Sequence, residues 1–153
     1  SAYAAMAATM GQELTIPEIA QSIVLTRMSM QSTSMPSGET LENFGRTGAT
    51  LAIHLAIRNM REIERVLIPH YGEDCPVVVG YRVGWPDQML IRGTLNDIRK
   101  KVRKEKITRT ALIMVGPALR EGQDFKDSAL YDAAIPHVLR PVVGVDLVED
   151  HNT

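Results

Sequence analysis

The segment Tyr81-Arg82-Val83-Gly84-Trp85-Pro86-Asp87-Gln88 holds the residues best suited to gripping a ligand. A strand that ends in arginine and runs into Gly, Trp and Pro sets a cation beside a large ring at a sheet edge. Ligands of α/β proteins often bind at such strand ends. The Arg82 guanidinium could pair with a carboxylate through two parallel hydrogen bonds. A tight turn whose tryptophan caps the core accounts for the same residues equally well. Arg27 closes an earlier strand before a long loop and could also reach a carboxylate; taken alone it reads as a surface charge worth little.

Other reactive side chains do not assemble. His54, His70, His137 and His151 are scattered, with no second ligand at metal-binding spacing, and no metal is expected. His54 lies in an apolar strand and reads as an ordinary hydrogen-bonded histidine. Cys75, beside Pro76, reads as a small buried residue and not a nucleophile. The run Arg99 to Lys106 has six basic residues in eight. Val102 and Ile107 turn one face of it inward, which leaves the lysines as a solvated face. Glycine-rich dinucleotide, Walker and Gly-x-Ser-x-Gly signatures are missing, so no catalytic residue is singled out.

The elements that must position these residues follow from periodicity. Alanines favour a helix over 2–10, which Gly11 can end. Thr15-Ile16-Pro17-Glu18 has the spacing of a helical start, with threonine as cap. The β-branched run 23–26 predicts a strand, 28–38 a loop around Pro36, 39–46 a short helix, and 50–55 a second strand. Met60, Ile63, Val66, Leu67 and Tyr71 follow helical spacing up to Gly72. Residues 76–83 form the clearest buried strand. Another spans 88–92, joined to it through Pro86-Asp87 as an antiparallel hairpin. Leu95, Ile98, Val102 and Ile107 mark an amphipathic helix, and 110–115 a last strand. Beyond Gly116 the chain reads as irregular and poorly packed, fraying at 149–153. The pattern predicts an α/β fold: one mixed sheet flanked by helices over 1–116, with an irregular tail over 117–153.

Composition bounds the function. With 153 residues, 44% apolar and 23% charged, the chain suits one soluble domain. A net charge of −1 and 5% aromatics argue against nucleic acid and anionic membranes as partners. No apolar run approaches a membrane span. The single cysteine excludes an internal disulfide, and a cytoplasmic location is expected. The first residues lack the basic leader of a signal peptide. Because the chain opens at Ser1 inside an alanine-rich helical pattern, it reads as a piece of a longer one.

Several segments then match in order: Leu25-Thr26-Arg27, Met35-Pro36, Thr50-Leu51-Ala52-Ile53-His54-Leu55, Tyr81 to Asp87, Arg92-Gly93-Thr94-Leu95 and Arg109-Thr110-Ala111-Leu112-Ile113. Together they resemble the tetrapyrrole methylases, and within them the branch that acts on precorrin-4 at C-11. The Tyr-Arg-x-x-Trp-Pro-Asp and Thr-Leu-Ala-Ile segments are the specific ones; Gly-Thr-Leu is common to the wider family.

The resemblance implies a C-terminal domain of a class III methyltransferase, with S-adenosylmethionine held between it and an N-terminal domain. Ser1-Ala2 look like the end of the linking Pro-Gly-Val-Ser-Ala segment. On this reading Ser1, Ala2, Leu55, Val83, Thr110 and Ala111 border the cofactor. Arg27, Arg82 and Trp85 face a tetrapyrrole (precorrin-4) rich in carboxylates. Relatives often carry arginine near the position of Gln31, a departure that weakens any carboxylate site there. The implied chemistry is methyl transfer from a sulfonium to a ring carbon, leaving S-adenosylhomocysteine, a step that depends on alignment and exclusion of water. The family also implies a homodimer. Two other readings stay open: a related enzyme acting on cobalt-precorrin-4 or at another ring carbon, and an inactive oligomerisation module exposing apolar surface.

Overall fold

Three apolar runs build the centre of a five-stranded sheet. In the computed structural model, which describes residues 1–29 and 34–121, these are β2 (Thr50–His54), β3 (Pro76–Tyr81) and β5 (Ala111–Val115). β1 (Ile23–Arg27) and β4 (Met89–Thr94) form the outer strands, in the order β1-β2-β5-β3-β4. β1 and β2 are parallel; β5 runs antiparallel to β2 and β3, and β4 antiparallel to β3. The carboxyl ends of β1, β2 and β3 therefore meet the amino ends of β4 and β5 along one edge.

Alternation along the central strands feeds two cores. Leu51, Ile53, Val77, Val79, Ile113 and Val115 pack on one face with Ile63 and Leu67 of α3 (Met60–Tyr71) and Ile98 and Val102 of α4 (Ile98–Lys104). Ala52, Val78, Leu112 and Met114 pack on the other face with Met6 and Met10 of α1 (Ala2–Met10). Burial on both faces explains why these strands are continuously apolar. The short α2 (Leu41–Gly45) begins at Thr40, whose side chain accepts a hydrogen bond from the Asn43 amide at 3.0 Å.

α1 approaches the sheet closely because Gly80 has no side chain. A Cβ there would lie 2.7 Å from Met6 Sδ and 2.8 Å from Val83 Cγ2. Gly11 ends α1 in the left-handed conformation, φ +64°, as its position after the alanine run predicts.

The mixed sheet with flanking helices agrees with the sequence, and five local expectations are corrected. Thr15 to Glu18 does not start a helix: Pro17 followed by left-handed Glu18 (φ +67°) makes a tight turn closed by an Ile16–Ala20 bridge. The antiparallel hairpin between β3 and β4 is as expected, but its connection spans 82–88, longer than the 84–87 left between the predicted strands. The fourth helix begins at Ile98, later than Leu95, because Asp97 accepts the Thr94 amide at 2.7 Å in a turn. Pro117–Leu119 is not loose: it forms a 3-10 turn with Ala118 and Leu119 buried, and the Leu119 carbonyl accepts a hydrogen bond from Gln12. Three strands end one or two residues inside their predicted limits, for a reason given below. Gln31, His137, His151 and the tail from 122 onward lie outside the described residues.

Candidate functional site

The strand ends enclose a cleft of about 810 Å³ along the edge where β1, β2 and β3 finish. It is bordered by Arg27 and Met28 after β1, Leu55 and Arg58 after β2, Arg82 and Trp85 after β3, and Arg109 to Ala111 before and at the start of β5. Ala2, at the start of α1, closes one side. Its walls carry four arginines and no carboxylate. Such a cleft suits a ligand with an apolar body and negative groups at its periphery.

The backbone of this edge is strained at three places. Leu55 (φ +55°), Arg82 (φ +46°) and Thr110 (φ +56°) are all left-handed, though none is glycine. Each such residue costs on the order of 1 kcal/mol or more; for β-branched Thr110 the conformation is unfavourable enough to be a true outlier. The left-handed turns cut the strands short at His54 and Tyr81 and delay β5 until Ala111. Two of these residues lock together, because the Arg82 amide donates to the Thr110 carbonyl at 3.0 Å. The turn after His54 also sends the Leu55 side chain outward, 72% exposed, on the cleft wall.

The β3–β4 connection is a folded unit. The Trp85 amide donates to the Arg82 carbonyl at 3.0 Å, and the Gly84 amide to Gln88 Oε1 at 2.9 Å. The Arg82 guanidinium lies 4.1 Å from the centre of the Trp85 ring and pairs with Asp87 at 2.9 Å. Trp85 is 53% exposed, so it does not cap the core. The pair with exposed Asp87 is worth less than about 1 kcal/mol, so a stronger anion can displace it. Arg27 has no ion-pair partner among the described residues, whereas Arg58 Nε donates to the Thr108 carbonyl at 3.1 Å.

Of the nine residues singled out by sequence, eight border this cleft: Ala2, Arg27, Leu55, Arg82, Val83, Trp85, Thr110 and Ala111. Ser1 does not line it; Ser1 is exposed and its carbonyl begins α1 by accepting the Ala5 amide. Arg58 and Arg109 also line the cleft and were missed. Arg109 adjoins the matched Thr110-Ala111, and Arg58 stands three residues after Leu55, one turn past the strand end, which is the signal that could have found them. His54 makes the hydrogen bond expected of it, with Nδ1 3.3 Å from the Thr26 carbonyl, and it also lines the cleft.

Cys75 is buried away from this edge, and burial pushes its thiol up to about 11, which suits a packing residue. Among the described residues no group of three His, Cys, Asp or Glu side chains could hold a metal ion. No described helix is long and apolar enough to cross a membrane.

Comparison with known proteins bears on the family. A family profile for Tetrapyrrole (Corrin/Porphyrin) Methylases matches residues 1–99. Precorrin-4 C(11)-methyltransferase from Sinorhizobium sp. is 54% identical over 132 residues, covering 86% of this chain and 52% of its own length. A solved cobalt precorrin-4 methyltransferase superposes with a TM-score of 0.75 at 33% identity, covering 78% of this chain and 50% of its own. Uroporphyrin-III C-methyltransferase from Thermus thermophilus, solved with S-adenosyl homocysteine, shares the fold at a TM-score of 0.59 and 19% identity. The chain spans about half the length of the curated relatives it matches. On the profile match and the sequence identity together, the chain belongs to the tetrapyrrole (corrin/porphyrin) methylase family.

Proposed function

We propose that this chain supplies one wall of an active site that methylates precorrin-4 at C-11 with S-adenosylmethionine. The observation that carries the reading is the strand-end cleft itself: an apolar floor, four arginines and no carboxylate, in a chain 54% identical to a precorrin-4 C(11)-methyltransferase. The opposite wall belongs to the half of the relatives' length that the chain does not match.

The cofactor, when bound, supplies an activated methyl group. The residues of this chain hold and orient. Ala2, Leu55, Val83, Thr110 and Ala111 form the surface against which it rests. The left-handed turns at Leu55 and Thr110 set the shape of this wall where the strands stop. Arg27, Arg82 and Trp85 take the macrocycle: the two guanidinium groups grip peripheral carboxylates and the indole covers an apolar face. Fixing both partners in line, with water kept out, supplies much of the barrier reduction by positioning. No conventional catalytic triad is needed on this reading.

The test is a chimera. The aligned 132 residues of the Sinorhizobium enzyme are replaced by the matching residues of this chain. The chimera is expected to convert precorrin-4 to the C-11-methylated product, identified by mass and carbon NMR. A folded chimera that binds S-adenosylhomocysteine but leaves precorrin-4 unchanged rejects the substrate. One that binds neither rejects the cofactor as well. Turnover of cobalt-precorrin-4 in preference to the metal-free compound would favour the second reading, which the likeness to the cobalt precorrin-4 methyltransferase supports.

A homodimer belongs to the same proposal. β1 is an outer strand, and Leu25 on it is 51% exposed, with Ile19 exposed nearby. Sedimentation at several concentrations tests it; a monomer throughout would reject it.

A further inference from the structure

The basic run 99–106 divides in the fold. Lys101 turns to Asp97 at 3.3 Å and to the Arg92 carbonyl at 3.0 Å. Arg99, Arg103 and Lys106 instead border a groove of about 540 Å³, whose other side carries Arg58 and Arg61 from the start of α3 and the turn before it. The floor is apolar, with Met60, Val102 and Ile107 buried. No carboxylate lines it.

Two of the five cations have internal partners. Arg58 donates to the Thr108 carbonyl at 3.1 Å, and Arg99 pairs with Glu64 at 3.1 Å. The side chains of Arg61, Arg103 and Lys106 have no hydrogen bond or ion pair among the described residues. Arg103 and Lys106 gain from lying at the carboxyl end of α4, where the helix dipole favours cations. Arg58 and Arg61 do not: they stand at the amino end of α3, which disfavours positive charge, and they face three like charges. The chain as a whole carries a net charge of −1, so this is concentrated basicity and not a general excess. Folding alone gives no reason for the arrangement; an anionic ligand does.

We propose that this groove binds a polycarboxylate with an apolar body, a tetrapyrrole acid being the class that fits. Carboxylates meet Arg61, Arg103 and Lys106, and the apolar body lies along the aliphatic stems of these side chains, above the buried Met60, Val102 and Ile107. The choice of ligand rests on the function proposed above; the groove itself does not. Ile57, Arg58 and Thr108 line both this groove and the strand-end cleft, so a macrocycle docked here lies directly beside the cleft.

Uroporphyrin, a tetrapyrrole with carboxylates around its rim, is the probe, and its fluorescence anisotropy on titration with the 153-residue chain is the readout. R61E/R103E is compared with K100E/K104E, which changes net charge equally but involves exposed residues outside the groove. The groove pair is expected to weaken binding by about tenfold or more, as the loss of two charge-assisted contacts requires. The control pair, on the same helix but outside the groove, should weaken it several-fold less, since its charges act through solvent and make no direct contact. Equal losses for both pairs, or no saturable binding by the unaltered chain, would overturn the proposal. If circular dichroism shows R61E/R103E unfolded, R61Q/R103Q takes its place under the same criteria. Groove binding with an inactive chimera rejects only the methylation reading, and an active chimera with groove-independent binding rejects only this one.

Discussion

The centre of the sheet and its carboxyl-end rim obey different rules. In the centre, local preferences agree: apolar runs, burial on both faces, and strand ladders joining β2 to β5 and β5 to β3. At the rim, three residues without the freedom of glycine are held left-handed, a tryptophan lies exposed, and arginines gather without carboxylates. Sequences that fold well keep local and global preferences consistent, and departures concentrate where function demands them. The contrast separates residues that hold the fold from residues that shape the cleft, and substitutions on either side should diverge.

The largest effect belongs to the centre. Ile113→Ala removes a fully buried side chain from the layer between α3 and the sheet. It is expected to lower unfolding stability by about 2–5 kcal/mol, measured by urea denaturation. A loss below about 1 kcal/mol would break the picture of a close-packed centre.

Alkaline pH probes the same region. Burial raises the Cys75 thiol from an ordinary 9.0 to about 11. The unfolded chain therefore releases this proton first, so stability is unaffected below about pH 9 and falls as pH rises towards 11. The loss has an upper bound of about 2–3 kcal/mol by linkage. Melting temperatures across this range should fall less steeply for Cys75→Ala; identical slopes would remove Cys75 from the account.

Gly80→Ala tests the boundary between the two regions. The added Cβ meets Met6 and Val83 at less than 3 Å, so α1 or the start of the β3–β4 connection must shift. Overpacking of this kind costs about 1–3 kcal/mol. Because Ala2 on α1 and Val83 both border the cleft, S-adenosylhomocysteine binding in the chimera should weaken as well. Loss of stability with unchanged binding would show that α1 does not set the cleft wall.

The smallest effect has the opposite sign. Leu55→Gly relieves a left-handed leucine whose side chain is mostly exposed. Stability should rise by roughly 0.5–1 kcal/mol, while the chimera loses affinity for S-adenosylhomocysteine. A destabilised variant would mean that the turn carries no strain to release.

The amino-acid sequence by itself determined the sheet, its covering helices and the position of most of the cleft. Continuous apolar runs at 51–53, 77–79 and 111–115 need burial on both faces, and the helical spacing from Met60 to Tyr71 leaves few other arrangements. Eight of the nine residues singled out from the sequence border one cleft, since strand ends are where such folds hold ligands. Tertiary structure alone decided the rest. Leu55, Val83 and Thr110 look like strand residues because β propensity is local, whereas their conformation is imposed by neighbours across the rim, as in the bond from the Arg82 amide to the Thr110 carbonyl. The partnering of Arg82 with Asp87 and Trp85 likewise depends on how the loop folds back. The basic run read as one solvated face because spacing along a helix does not say what stands opposite; only the packing of α4 beside α3 brought Arg99, Arg103 and Lys106 to Arg58 and Arg61.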